Sequence, residues 1–291
     1  MTMIKGTTKI LGIIGDPVTY SLSPVMHNAV FQYLDLDYAY IPLPLKSEAL
    51  ATGIQGLGAI ASMQGFNVTI PHKEAVLPFL SATTTLAQTL GAVNTVKRTE
   101  QGWLGTNTDV HGFLQPLQAL ERDWQTISVV VLGSGGAAKA VVTACQQLGC
   151  GVIHLVGRDH QKMKQFYHQL NSHLPQLNLR LHPWASVDSL LEVAGLVVNT
   201  TPLGMASQPE SPLSLAQLKT LTTSAIVYDL IYTPRPTQLL QMAQTLGLTP
   251  IDGLGMLLHQ GVAALEFWLD QTLSPEAIAV MEKSLLEACT T

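Results

Sequence analysis

The segment Val129-Val130-Val131-Leu132 runs without a break into Gly133-Ser134-Gly135-Gly136-Ala137-Ala138, and a helix-forming stretch follows. Four consecutive apolar residues, three of them β-branched, suit a strand buried on both faces, as in the interior of a parallel sheet. The first glycine of the loop permits a tight turn, the second lets backbone approach a pyrophosphate, and a small residue at Ala138 lets the helix pack close to the strand. The N-terminus of that helix offers N–H groups and the positive end of its dipole to an anion. The flanking sequence keeps the same alternation. Strands are expected over 128–132, 152–156, 179–182, 196–199 and 226–230, with helices over 137–148 and 161–170 between the first three. This is the rhythm of a doubly wound, Rossmann-type domain.

The first third of the chain alternates in a similar way. A strand is expected over 10–14, then a helix over 26–34 with Pro24 in its first turn and Ser23 as its N-cap. Strands over 38–42 and 65–70, helices over 72–80 and around 86–90, and a hairpin built from 92–97 and 103–105 follow. A connecting helix is expected over 113–124. Two helical stretches, 255–268 and 275–288, close the chain and are too few to form a domain, so they are expected to pack on the N-terminal unit. The fold class is α/β, with two domains and parallel-rich sheets.

Composition removes several classes of function. The net charge is −5 and the basic residues are scattered, whereas nucleic-acid binding needs clustered Lys and Arg. No apolar run approaches the ~20 residues of a membrane-spanning helix. Lys5 and Lys9 precede only a short apolar run ending at Gly15-Asp16-Pro17, too brief for a signal-peptide core, and the expected compartment is the cytoplasm. The three cysteines, Cys145, Cys150 and Cys289, form no CxxC pair and read as packing thiols. The nine histidines include no HExxH and no zinc-like spacing, so no metal is expected.

The second Rossmann strand ends at Val156-Gly157-Arg158-Asp159. An acidic residue in that region holds the ribose hydroxyls of NAD, and an arginine favours the 2′-phosphate of NADP. Arg158 with Lys162 one turn later forms a phosphate clamp, and Asp159 is read as the cap of the next helix, which favours NADP.

Outside that domain, four segments carry small polar groups that plain strand ends do not require. Ser21-Leu22-Ser23-Pro24 offers two hydroxyls in a loop. In Asn67-Val68-Thr69-Ile70-Pro71-His72-Lys73, Asn67 and Thr69 fall on one strand face and Lys73 in the first turn of a helix. Gly91-Ala92-Val93-Asn94-Thr95 presents an amide, and Gly105-Thr106-Asn107-Thr108-Asp109-Val110-His111-Gly112 a carboxylate. Each alone has an ordinary explanation as a cap, a turn residue or a solvated lysine. In their order and residue identity, however, these segments resemble the shikimate dehydrogenase family. The resemblance continues through the glycine loop, Asn199-Thr200-Thr201-Pro202-Leu203-Gly204-Met205, Tyr228-Asp229-Leu230-Ile231-Tyr232-Thr233-Pro234 and Gly253-Leu254-Gly255-Met256-Leu257-Leu258-His259-Gln260.

The resemblance implies an NADP-dependent oxidoreductase that interconverts 3-dehydroshikimate and shikimate in aromatic amino acid biosynthesis. It implies Lys73 and Asp109 as the catalytic pair, with Ser21, Ser23 and Thr69 at the substrate carboxylate. Asn67, Asn94, Asp109, Tyr232 and Gln260 are then expected at the remaining substrate positions. The cofactor is assigned to Gly133, Ser134, Gly135, Gly136, Ala137, Arg158, Lys162 and Thr200, with backbone near Leu230 and Gly253 facing the nicotinamide. The implied domains are a substrate-binding catalytic domain (1–110 plus 254–291) and an NADP-binding Rossmann domain (111–253). The partner is a small molecule rather than nucleic acid or membrane, and a homodimer is allowed because the family contains both monomers and dimers. One departure stands out: the family usually has Asn-Arg-Thr/Ser where this chain has Gly157-Arg158-Asp159, which leaves the strictness of the NADP preference open. An NAD-dependent quinate/shikimate dehydrogenase and a non-catalytic nucleotide-binding regulator on the same fold are the alternatives. Loss of Lys73 or Asp109 would mark the regulator, and both are present.

Overall fold

Short buried strands alternating with helices build two six-stranded sheets, each in its own unit. The computed structural model describes residues 4–290. One unit is formed by the chain up to Thr108 together with Leu257 onward, the other by Asp109–Met256.

In the first unit the order is β1 (Lys9–Gly15), α1 (Ser23–Tyr33), β2 (Tyr38–Pro44), α2 (Leu50–Ala59), β3 (Met63–Val68), α3 (His72–Ala75), β4 (Ala82–Thr83), α4 (Thr85–Leu90), β5 (Thr95–Thr99) and β6 (Gly102–Thr106). The second unit runs α5 (Asp109–Gln118), β7 (Ser128–Leu132), α6 (Gly136–Leu148), β8 (Val152–Gly157), α7 (His160–Asn171), β9 (Leu179–Pro183), α8 (Val187–Leu191), β10 (Leu196–Asn199), α9 (Leu215–Leu218), β11 (Ile226–Asp229), α10 (Gln238–Thr245) and β12 (Thr249–Ile251). Helix α11 (Gly253–Leu269) carries the chain back to the first unit, where α12 (Pro275–Thr290) packs on α1.

The first sheet has the order β2-β1-β3-β5-β6-β4, and only β5 opposes the common direction, being antiparallel to both β3 and β6. Its core gathers Ile14, Leu50, Ile54, Phe66, Val68, Val96 and Trp103. The second sheet has the order β12-β11-β10-β7-β8-β9 and is parallel throughout, the doubly wound pattern with its switch point between β7 and β10. The four apolar residues of β7 are fully buried, as strands covered on both faces require.

Three expectations need correction. Ser23 is not the N-cap of the first helix but its first residue; Leu22 holds the cap position without a side-chain bond, and the Ser23 N–H donates to Ser21 Oγ. The helix from His72 stops at Ala75, because Pro78 has no N–H to continue the ladder and opens a separate 3₁₀ turn. The connecting helix starts earlier, at Asp109, and ends at Gln118, two residues after Pro116, so Trp124 lies outside it.

Candidate active site

In the first unit, the loop between β1 and α1 and the ends of β3, β5 and β6 converge on one hydrogen-bonded network. Asn67, at the end of β3, donates its amide hydrogens to Asn94 O and Thr95 Oγ, each at 3.0 Å. That fixes Asn67 Oδ1 as an acceptor, and the buried Tyr40 hydroxyl donates to it at 2.6 Å. The Tyr40 oxygen also meets the Ser23 hydroxyl, while burial pushes its phenol pKa well up. Asn94 Oδ1 accepts the Thr108 N–H at 2.8 Å, and its amide nitrogen reaches Thr108 Oγ at 3.0 Å and Gln260 Oε1 at 3.5 Å. Ser23, Asn67, Asn94 and Gln260, called for separately by the sequence, are thus members of one assembly.

Lys73 and Thr69 are attached to the same frame by backbone. Val93 N–H donates to Lys73 O at 2.8 Å, and Thr69 N–H donates to Ile14 O at 2.9 Å. Thr69 comes so close to the end of β1 that a Cβ on Gly15 would lie 2.3 Å from its methyl carbon, so only glycine fits there. The dipeptide Val93-Asn94 is the hub: Val93 holds the helix bearing Lys73, and Asn94 holds Thr108, whose next residue in the chain is Asp109. Lys73 is half-buried and Asp109 buried.

Sequence reasoning assigned no role to Tyr40, Thr95 or Thr108. The two threonines stand beside Asn94 and Asp109 in the quoted motifs, so a signal existed. Tyr40 sits in an apolar strand and gave none. Tyr40→Phe leaves Asn67 Oδ1 without its donor, and the expected loss of stability is about 1–2 kcal/mol, read by urea unfolding of the two proteins.

The second unit carries the glycine loop at the switch point. Gly133 has φ +101°, and a Cβ there would come 2.8 Å from Thr200 Oγ, so the residue must be glycine on both conformational and steric grounds. Gly135 and Gly136 differ: beyond the adjoining backbone, a Cβ on either meets no atom of the described residues within 4 Å, so the open space beside them is not required by the fold itself. Helix α6 starts at Gly136 with no side-chain cap, leaving its first N–H groups available to an anion. Ser134 and Ala137 complete this half-buried loop, and the buried Ala138 lies beneath it. The Thr200 hydroxyl donates to Leu132 O at 2.7 Å and so fastens the loop after β10 to the end of β7.

Arg158 and Lys162 are exposed at the end of β8 and the start of α7. Asp159 is the N-cap of α7, its Oδ1 accepting the N–H groups of Gln161 and Lys162 at 3.0 Å each, the capping role expected of it. At the far side of the switch point, a Cβ on Gly253 would lie 2.0 Å from Leu230 O, an approach only glycine permits. Tyr232 follows in the same loop, half-buried. Asp109 and Tyr232 therefore belong to the second unit, and the other proposed substrate residues and Lys73 to the first. The arrangement offers an uncapped helix end and two cations for a phosphorylated nucleotide, and a preorganised hydroxyl and amide frame for a small polyol.

Residues 13–96 match the family described as Shikimate dehydrogenase substrate binding domain, and residues 253–286 match Shikimate 5'-dehydrogenase C-terminal domain. A shikimate dehydrogenase (NADP(+)) of Microcystis aeruginosa is 53% identical over 289 residues, covering 99% of each chain. The chain belongs to the shikimate dehydrogenase family. The solved structures similar to it include a shikimate dehydrogenase in complex with NADP+, with TM-score 0.90 and 32% identity over 100% of this chain and 99% of that one. They also include a quinate dehydrogenase of Corynebacterium glutamicum in complex with NAD, with TM-score 0.87 and 29% identity over 96% of this chain and 99% of that one. The solved structures similar to this chain thus include both NADP+ and NAD complexes, and both shikimate and quinate dehydrogenases.

Proposed function

We propose that this chain is an NADP-dependent shikimate dehydrogenase, reversibly reducing 3-dehydroshikimate to shikimate. The observation that carries the reading is the Val93-Asn94 hub, which ties the helix bearing Lys73 and the strand end leading to Asp109 into one frame with Ser23, Asn67 and Gln260. Ser21, Ser23 and Thr69 receive the carboxylate of the substrate. Asn94, Asp109, Tyr232 and Gln260 receive its hydroxyls and ring edge, and Asn67 orients Asn94 and Thr95.

Gly133, Ser134, Gly135, Gly136 and Ala137 hold the pyrophosphate of the nucleotide. The glycine cradle and the uncapped end of α6 fit such a group. Thr200, Leu230 and Gly253 shape its nicotinamide side. When bound, the nicotinamide supplies or accepts the hydride. Lys73 holds a proton on Nζ, gives it to the carbonyl oxygen of dehydroshikimate as negative charge develops there, and recovers it in the oxidative direction. Asp109 is the second member of the proposed catalytic pair.

The engagement of Asp159 as a helix cap supports NADP over NAD, because both N–H groups of the first turn draw its carboxylate to the helix and leave Arg158 and Lys162 to a 2′-phosphate. An absorbance assay at the reduced-nicotinamide band tests the reading. NADP with shikimate gives turnover, and Arg158→Ala raises the KM for NADP about tenfold or more while leaving the KM for NAD nearly unchanged. Preference for NAD with quinate would place the chain with the quinate-active relatives. Cofactor binding without turnover on either substrate would make it a regulator.

A further inference from the structure

The second unit contains a buried carboxylate that none of the roles above uses. Asp229 ends β11, and it is directly paired in the sheet with Asn199, the end of β10; both are fully buried. Asp229 Oδ1 accepts Asn199 Nδ2 at 2.9 Å and the Ile231 N–H at 3.2 Å, and Oδ2 accepts the Thr237 hydroxyl at 2.7 Å. Asn199 continues the chain of bonds: Nδ2 donates to Leu203 O, and Oδ1 accepts the N–H and hydroxyl of Thr201. The carboxylate thereby binds the loop after β10 (Thr200 to Leu203) to the loop after β11 (Leu230 to Thr237). Burial raises its pKa, a sign that the site is unfavourable to charge and is sustained by its three donors. A well-packed apolar residue would hold the two strand ends together without that penalty.

What only the acceptor does is fix the path of both loops. These loops lie at the carboxyl ends of β10 and β11, on one side of the switch point. The glycine loop and Arg158 follow β7 and β8, at the switch point and on its other side. A dinucleotide straddles such a switch point, so its phosphorylated adenosine half lies towards β8 and its second half towards β10 and β11. The loop after β11 also supplies Leu230, against which Gly253 closes, and a second tie, the Arg235–Asp252 ion pair, joins it to the segment ahead of Gly253.

We infer that Asp229, with Asn199 and Thr237, is the positioning residue for the nicotinamide half of the cofactor site, acting through the loops after β10 and β11 and leaving the adenosine half to the glycine loop and Arg158. This deepens the proposed function and rests on it. The test compares NADP with adenosine 2′,5′-bisphosphate, which carries the adenosine end alone. Wild-type protein binding neither would sink the functional reading itself. With both bound by wild type, Asp229→Ala raises the KM for NADP about tenfold, while the inhibition constant of adenosine 2′,5′-bisphosphate and the KM for shikimate stay within about twofold. Asp229→Asn keeps an acceptor for Asn199 and Ile231 and turns an amide N–H towards the Thr237 oxygen, so it restores the KM for NADP to within about threefold of wild type. Thr237→Val removes the hydroxyl donor to Asp229 together with the cap that the same oxygen provides to Leu240 N–H at the start of α10, and raises the KM for NADP about threefold with the inhibition constant of adenosine 2′,5′-bisphosphate unchanged; it decides the matter if the alanine variant does not fold. A carboxylate that merely stabilises the unit would weaken both nucleotides alike or neither, and either pattern overturns the inference.

Discussion

Lys73→Ala lowers the turnover of shikimate with NADP by about a thousandfold, while the KM values of both ligands stay within about threefold. The expectation follows from what the side chain does and does not hold in place. The position of α3 depends on backbone, through the bond from Val93 N–H to Lys73 O, and on His72, whose ring nitrogen meets Leu45 O at 2.6 Å. Neither contact involves the lysine side chain beyond Cβ, so truncation leaves the helix and the Asn94 frame where they were. The carboxylate and hydroxyl contacts are assigned to Ser21, Ser23, Thr69, Asn94 and Gln260, and ground-state binding persists without the ammonium. What is lost exists only as charge builds on the substrate oxygen, and such a loss falls on kcat. Added primary alkylamines should restore part of the rate in proportion to their concentration. Full activity in the alanine variant would remove Lys73 from the chemistry.

The same network shows what a sequence displays and what it conceals. Glycine loops and polar motifs are legible because their chemistry is unusual for their place: a run such as Val129 to Leu132 has no local reason to end in Gly-Ser-Gly-Gly. Helix α2 was not legible. It contains Gly53, Gly56 and Gly58, which weaken helix propensity, and it forms because Leu50 and Ile54 are buried in the core beneath it. A Cβ on Gly53 would meet only the end of the Leu45 side chain, 2.7 Å from Cδ1, which can turn aside. Tyr40 was hidden for the opposite reason. It obeys the apolar pattern of its strand, and its hydroxyl becomes informative only when Asn67 and Ser23 arrive from distant parts of the chain. The Asn199–Asp229 pair is similar: each residue is visible inside a motif, but their adjacency depends on the parallel register of β10 and β11. Cofactor preference is legible only in part, because whether Asp159 repels a phosphate or caps a helix depends on where its side chain turns.

Burial of His27 makes the protein acid-labile well above the carboxylate range, by about 2 kcal/mol between pH 7 and pH 5 from this one residue. The ring lies in α1 with 0% exposure, stacked on Tyr40 at 4.5 Å between centroids and edge-on to Trp268 at 5.6 Å. Among the described residues neither ring nitrogen has a hydrogen-bond partner, so the imidazole serves as an apolar aromatic plate. Burial pushes its pKa down to about 3 from the ordinary 6.5. The folded state therefore stays neutral at this site while the unfolded chain takes up a proton as soon as the pH falls below 6.5. The unfolded state binds more protons throughout that window, and stability falls as pH falls, from 6.5 downward until the folded-state value is reached. His154 and His182 also have lowered pKa values and contribute to the wild-type slope, so the informative quantity is a difference between proteins. His27→Phe keeps the aromatic stack and removes the proton site. Urea unfolding at a series of pH values between 7 and 5 should show the wild-type curve falling below that of the variant by about 2 kcal/mol over the interval. Parallel curves would mean that the ring is protonated, or partnered, in the native protein, and the apolar-plate account of α1 would be wrong.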